Sequence, residues 1–150
     1  MSSTDANDAA VRVAIYRFFV DRGRPPVPLE LCEMVDTDQA SVEASLRRLH
    51  DNHTIVLAPG TPYIWMANPL SAVPTPFVAE TSEKRLYGNC IWDALGIVAM
   101  LGGTGSVSTW CPDCREPLQV KVEDDHLVSG EGMVHFAIPA ARWWDDIGFT

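Results

Sequence analysis

Three prolines within eleven residues constrain the fold of this chain more than any other feature. They lie in PLSAVPTPFVA, residues 69–79. Proline fixes its own φ and has no N–H to donate, so it is excluded from helix interiors and from central strands. The pattern predicts an extended linker over 69–79. A chain of 150 residues can hold two small units. We therefore expect an N-terminal domain over 1–68 and a second domain over 80–150.

Helical periodicity dominates the first 53 residues. Residues 8–21 place Val11, Ile15, Phe18 and Phe19 at helical spacing, and Gly23 and two prolines follow. Residues 27–35 predict a short helix that contains Cys32 among its apolar positions. A third helix begins after an N-cap at Thr37 or Asp38 and buries one apolar stripe, formed by Val42, Leu46 and Leu49. Residues 54–67 then read as a hairpin around a Pro-Gly-Thr-Pro turn. Three helices and a hairpin predict a winged-helix-like domain.

Charge argues against two classes of partner. The net charge is −9 and the isoelectric point is near 4.7. Nucleic-acid binding needs a basic face that displaces counterions from phosphate, and anionic membranes likewise attract basic surfaces. The first residues, MSSTDANDAA, lack the basic and apolar regions of a signal peptide, and no apolar run is long enough to span a bilayer. We expect a soluble cytoplasmic protein whose four cysteines are reduced.

The second half of the chain is predicted to combine one helix with several strands. Residues 90–101, CIWDALGIVAML, predict a helix of about three turns that ends at Gly102 and Gly103. Four strands are predicted in GSVSTWC, PLQVKVE, HLVSG and GMVHFAIP, with turns at residues 124–125 and 130–132. Residues 140–150 begin as a short helix. The expected fold class is α+β: the winged-helix-like region, then a small domain with one helix against a mostly antiparallel sheet.

Cys90 and Asp93 are the candidate residues for metal binding and proton transfer. Positions i and i+3 share a helix face, so both side chains project together from the first turn. A helix N-terminus favours a thiolate, which lowers thiol pKa, and a thiolate binds soft metals. A carboxylate beside it can carry a proton. The alternative is structural: Cys90 packs as a small hydrophobe, and Asp93 favours the positive end of the helix.

The segment YGNCIWDALGIVAMLG, followed by strands ending in VHFAIP, resembles the catalytic core of the organomercurial (alkylmercury) lyases. The resemblance implies that Cys90 holds mercury and that Asp93 delivers a proton to carbon. It implies an organomercurial small molecule as substrate, no required cofactor, and Hg(II) left on thiolate as product. A mercuric reductase or a low-molecular-weight thiol would then accept Hg(II), as part of detoxification. Nucleic acid and membrane are not expected partners.

The family uses a second cysteine, which by this resemblance falls at or just beyond Thr150, where this sequence has none. A truncated chain, a diverged non-lyase or a substitute thiol would each explain the difference. Cys111 and Cys114, in WCPDCRE, are the candidate substitutes. C-x-x-C spacing on a turn lets two sulfurs meet one metal, including zinc, although structural zinc sites use four ligands. A redox disulfide and incidental turn thiols are the other interpretations. Together, Cys90, Cys111 and Cys114 could form a three-thiolate metal site.

Two rival functions stay open at the level of sequence. The first is a non-catalytic soft-metal binder or sensor on the same fold, which uses Cys90 with Cys111 and Cys114. It would bind Hg(II) or Zn(II) without releasing hydrocarbon. The second is a winged-helix transcription regulator, which would bind DNA with a steep salt dependence. The acidic charge disfavours the regulator.

Overall fold

The computed structural model describes residues 3–148. The four α-helices are α1 (Ser3–Arg22), α2 (Pro28–Val35), α3 (Gln39–Asp51) and α4 (Ile91–Met100), and a 3₁₀ helix covers Ala140–Asp145. The strands are β1 (Val56–Leu57), β2 (Ile64–Ala67), β3 (Leu70–Ser71), β4 (Val78–Glu80), β5 (Arg85–Tyr87), β6 (Gly105–Trp110), β7 (Pro117–Glu123) and β8 (His126–Ser129). Every strand pair is antiparallel, so the α+β prediction is confirmed.

The three N-terminal helices pack around the predicted apolar stripes. Val11, Ile15 and Phe19 recur every four residues along α1 and are buried. The predicted stripe of α3 is buried against them. Asp38 is the N-cap of α3, because its side chain accepts a hydrogen bond from the Ser41 N–H at 3.0 Å. The order of three helices and a hairpin is as predicted, whereas the winged-helix assignment stays a prediction.

Two antiparallel sheets follow the helices. The first has the strand order β1-β2-β3, and the second has the order β5-β4-β6-β7-β8. A bridge between Leu70 and Gly88 connects their edges. Helix α4 buries Ala94, Ile97 and Val98, and it ends where the Gly103 N–H donates to the Val98 carbonyl at 3.0 Å. Gly102 and Gly103 both adopt positive φ, as the predicted helix end requires.

The proline-rich segment 69–79 contributes to both sheets. It contains β3, which pairs with β2, and most of β4, which pairs with β5 and β6. Its prolines flank these strands, so the ladders keep their donors. Leu70 and Ala79 are buried in a hydrophobic cluster that includes residues from both halves of the chain. The segment is therefore packed and paired, and the division into domains 1–68 and 80–150 stays a prediction.

One predicted strand is wrong. GMVHFAIP, residues 132–139, forms no strand, and β8 ends at Ser129. Gly130 and Gly132 have φ of 125° and 143°, a backbone conformation that breaks the strand path. Among the described residues the outer edge of β8 is therefore left without a paired strand. The segment instead lines two cavities. Within residues 3–148, no helix combines the length and the apolar character needed to cross a membrane.

Candidate functional site

The turn from β5 into α4 places the thiol. Cys90 is the N-cap of α4, and its sulfur accepts a hydrogen bond from the Asp93 N–H at 3.4 Å. Gly88 allows this tight entry, because a Cβ built there would lie 2.5 Å from the Ala94 nitrogen. No local sequence signal marks Gly88, because its role depends on this close approach. Cys90 and Asp93 lie together, as their i, i+3 spacing predicted.

The thiol of Cys90 and the carboxylate of Asp93 are hydrogen-bonded. The Cys90 sulfur lies 3.5 Å from Asp93 Oδ2, and the thiol donates to the carboxylate. Burial raises the pKa of Asp93, against the opposing effect of hydrogen bonds from Cys90 and Asn89. Burial also raises the pKa of Cys90, and the negative charge of Asp93 adds to that rise. Both groups therefore hold a proton more readily than they would in water.

The expected lowering of the thiol pKa at the helix N-terminus is wrong for Cys90. The Asp93 N–H does lower the pKa of the thiol, as a helix start should. Desolvation has the larger and opposite effect, because the thiolate would be buried beside a carboxylate. The resting thiol therefore keeps its proton, and a ligand must displace it.

Asn89 connects the pair to the rest of the fold. Its side chain hydrogen-bonds Asp93 and also donates from Nδ2 to Asn68 Oδ1 at 3.0 Å. The Asn68 carbonyl accepts a hydrogen bond from the Tyr16 hydroxyl at 2.9 Å, which brings α1 into the same network. Within the described chain, the buried Oδ1 of Asn89 has no hydrogen-bond partner. Sequence reasoning missed Asn89 because the partner that fixes it, Asn68, is 21 residues away in sequence.

A cavity of about 680 Å³ opens onto Cys90 and Asp93. Its walls are mostly apolar and aromatic, with His135 and two asparagines as further polar groups. The lining residues are Met66, Asn68, Phe77, Asn89, Cys90, Ile91, Trp92, Asp93, His135, Phe136, Ala137, Ile138, Trp143, Ile147 and Gly148. Trp143 is oriented by a hydrogen bond from its ring N–H to the Ile138 carbonyl at 2.8 Å. The cavity can enclose an apolar group beside the thiol.

A second cavity of about 470 Å³ lies next to the first. The two share Phe77, Ile91 and His135 as lining residues. The second cavity is formed by the face of β6 and β7, by α4 and by the segment after β8. Neither Cys90 nor Asp93 lines it, so the Cys90–Asp93 pair belongs to the first cavity alone.

Residues 70–150 match the family model for MerB, the alkylmercury lyase. That match covers more than half of the chain and includes Cys90 and Asp93. The chain belongs to the alkylmercury lyase family. Alkylmercury lyases from Bacillus cereus and Clostridium butyricum are each 36% identical to it over 62 residues. This match covers 41% of the chain but only 28% of each relative.

The fold agrees with the family. The crystal structure of the mercury-bound form of MerB2 superposes with a TM-score of 0.62 at 18% sequence identity. The superposition covers 87% of this chain and 68% of that one. It therefore extends well beyond the segment that the family model matches and takes in part of the N-terminal helices.

The other thiols lie apart from the Cys90 cavity of this alkylmercury lyase family member. Cys32 is partly buried against the hydrophobic core. Cys111 and Cys114 lie on the β6–β7 turn, outside both cavities. Hydrogen bonds from the backbone of Cys114 and Asp113 lower the pKa of Cys111. Across residues 3–148, no three His, Cys, Asp or Glu side chains form a group suited to a metal ion, so Cys90, Cys111 and Cys114 are not brought together.

The second family cysteine was expected at or just beyond Thr150, which lies outside the described residues. Within residues 3–148, Cys90 is the single thiol that lines the larger cavity. Any second sulfur for a metal bound there would have to come from outside this part of the chain. The assignment of Cys111 and Cys114 as metal ligands stays a prediction.

Proposed function

We propose that this protein cleaves carbon–mercury bonds by protonolysis, with Cys90 as the mercury-binding sulfur and Asp93 as the proton carrier. The observation that carries the proposal is the Cys90–Asp93 hydrogen bond of 3.5 Å at the wall of an apolar cavity. Membership of the alkylmercury lyase family supports the choice of substrate. The aromatic walls suit the organic group of an organomercurial small molecule.

The first step is exchange at sulfur. The organomercury cation forms a bond to the Cys90 sulfur, and the thiol proton moves to the Asp93 carboxylate with which it is already hydrogen-bonded. Because burial raises the pKa of Asp93, the carboxyl can hold that proton. The result is a mercury–sulfur bond beside a neutral carboxylic acid. The positive charge of the organomercury cation therefore neutralises the negative charge of the resting thiol–carboxylate pair.

The second step breaks the carbon–mercury bond. A thiolate from solution binds mercury and increases electron density on the attached carbon. The carbon–mercury bonding pair then takes the proton from Asp93, hydrocarbon leaves, and Asp93 returns to carboxylate. Hg(II) remains on Cys90 and the external sulfur. A low-molecular-weight thiol or a mercuric reductase would then accept Hg(II), which leaves Cys90 free for another turnover.

Benzene release from a phenylmercury salt, in the presence of excess monothiol, tests the proposal. We expect release by the unaltered protein and a loss of at least about 100-fold in Cys90→Ala and in Asp93→Asn. Cys32→Ala is the matched control, since that thiol lies against the core and not at the cavity, and it should retain the activity.

A non-catalytic mercury binder is the second candidate, and it is favoured by the single thiol at the described cavity wall. It predicts stoichiometric mercury retention through Cys90 with no benzene above the thiol-only background. That result in the unaltered protein would contradict the lyase proposal. Benzene release unaffected by Asp93→Asn would contradict the role of the carboxyl.

A further inference from the structure

The β6–β7 turn carries a second, preformed pair of thiols. The Cys111 N–H donates to the Glu116 carbonyl at 2.9 Å, and the Arg115 N–H donates to the Cys111 carbonyl at 2.8 Å. Arg115 adopts a φ of 63°, which reverses the chain after Cys114. The two backbone hydrogen bonds hold the turn in one conformation. Both cysteines are therefore presented by a fixed backbone.

The two sulfurs of this turn are within reach of one another. The hydrogen bond from the Arg115 N–H to the Cys111 carbonyl closes a single turn in which Cys111 and Cys114 stand at positions i and i+3, so both side chains project from the same side of that turn. Contacts with the backbone of Cys114 and Asp113 and with the Cys114 side chain lower the pKa of Cys111. Cys111 is partly exposed and Cys114 is exposed. An incoming ion can thus reach both sulfurs without any rearrangement of the sheet. N–H groups around a sulfur also compensate the charge of a metal-bound thiolate.

The ligand count decides which ions suit this turn. Structural zinc sites use four nitrogen, sulfur or oxygen ligands from the protein. In the part of the chain that the structure describes, no third His, Cys, Asp or Glu side chain completes a metal-binding group with the two cysteines. Thiolates select soft cations, and Hg(II) is stable with two thiolate ligands. A two-sulfur turn therefore suits Hg(II) better than Zn(II).

We propose that Cys111 and Cys114 form a two-thiolate binding site for Hg(II), separate from the Cys90 cavity. Binding forms two sulfur–mercury bonds and releases one proton from each thiol. The site needs no carbon–mercury cleavage, because inorganic Hg(II) is its ligand. The proposal is therefore independent of the proposed lyase activity, and each can fail without the other.

Mercury retention in a Cys90→Ala background tests this site. The protein is reduced, freed of reductant under anaerobic conditions and checked for three free thiols, namely Cys32, Cys111 and Cys114. Inorganic Hg(II) is added with excess monothiol, the sample is desalted, and bound mercury is measured with the ultraviolet charge-transfer absorption of mercury–thiolate bonds. We expect about one retained Hg(II) per chain, because two sulfurs on one turn act as a chelate.

Cys111→Ser and Cys114→Ser, each added to Cys90→Ala, should weaken retention by roughly 100-fold or more, since the chelate is lost. Cys114 is exposed, so its substitution should leave the far-ultraviolet circular dichroism unchanged. Cys32→Ala in the same background is the control and should keep the bound mercury. Equal retention with and without Cys114 would overturn the site. Zn(II) held as tightly as Hg(II) would overturn its two-ligand character.

Discussion

At the scale of single residues, Asn89 is the side chain through which the fold acts on the Cys90–Asp93 pair. It hydrogen-bonds the Asp93 carboxylate and is itself fixed by Asn68. That hydrogen bond lowers the pKa of Asp93 against the larger effect of burial. Asn89 is therefore a positioning residue, which acts on the proposed reaction through Asp93.

Replacing Asn89 by alanine should lower kcat/KM for phenylmercury cleavage by about 10- to 100-fold, because the carboxyl loses its orientation. The pKa of Asp93 should rise further without this donor. Since the proposed first step needs Asp93 as carboxylate, the acidic limb of the pH profile should move to higher pH. The measurement is kcat/KM across the acidic and neutral range.

Asn89→Gln keeps an amide donor and should recover part of the activity and of the original profile. A variant Asn89→Ala that is merely less stable, with an unmoved acidic limb, would show that Asn89 supports only the fold. Circular dichroism recorded on the same samples separates the two results.

At the scale of elements, the loop before α2 depends on one partly exposed carboxylate, that of Glu30. Glu30 pairs with Arg24 at 2.6 Å and accepts a hydrogen bond from the Val27 N–H at 2.9 Å. These contacts lower the pKa of Glu30 from 4.5 to about 2, with the Arg24 hydrogen bond as the largest cause. Glu30 thus ties the start of α2 to the end of the preceding loop.

The pH dependence of this contribution has a definite sign. The native state holds Glu30 as carboxylate at pH values where the unfolded chain protonates it, so the carboxylate stabilises the fold fully above pH 4.5. The contribution is lost as pH falls towards 2. Glu30→Gln should therefore lower the urea midpoint modestly at neutral pH, and the difference from the unaltered protein should shrink on acidification.

Glu33→Gln removes an exposed carboxylate from the same helix and serves as the control. A difference in urea midpoint between Glu30→Gln and the unaltered protein that stayed constant from neutral to acidic pH would contradict the prediction. It would show that the charge of Glu30 does not explain its contribution to stability. Urea unfolding followed by circular dichroism at several pH values is sufficient to decide.

Local signals predicted most helices and most strands, and tertiary context accounts for what was missed. The spacing of Val11 and Ile15, and the cap at Asp38, report on forces within a few residues. The alternation around His135 indicated a strand equally well, yet among the described residues this segment does not pair with the edge strand β8, because Gly130 and Gly132 turn the backbone away from it. A strand needs a partner that its own sequence does not specify.

The candidate site likewise has features that local sequence predicted and features that depend on distant residues. Helix spacing predicted that Cys90 and Asp93 meet, because i, i+3 contacts are local. The raised thiol pKa was missed, since it depends on burial by residues from distant segments. Asn89 was missed for a related reason: Asn68 is 21 residues away in sequence.

At the scale of the whole molecule, one hydrophobic cluster connects the helices and the sheets. It includes Leu46 from α3, Leu70 from β3 and Val107 from β6, all fully buried. The sequence predicted two domains separated by residues 69–79. A shared core predicts that the two halves unfold together, because removing one set of contacts exposes the other.

Leu46→Ala should therefore destabilise the protein by about 2–5 kcal/mol, the usual cost of emptying a buried leucine site. Trp65 lies in β2 and the other four tryptophans lie within residues 80–150, so the substitutions are made in a Trp65→Phe background, in which the fluorescence reports on the second half of the chain. We expect the fluorescence and circular dichroism midpoints in urea to fall together, although the substitution lies in the helical half. Val107→Ala, from the other half, should move both midpoints in the same way.

If Leu46→Ala moved the circular dichroism transition and left the fluorescence midpoint in place, the halves would be independent domains. The predicted boundary at 69–79 would then hold, and the cavity at Cys90 would persist without the N-terminal helices intact.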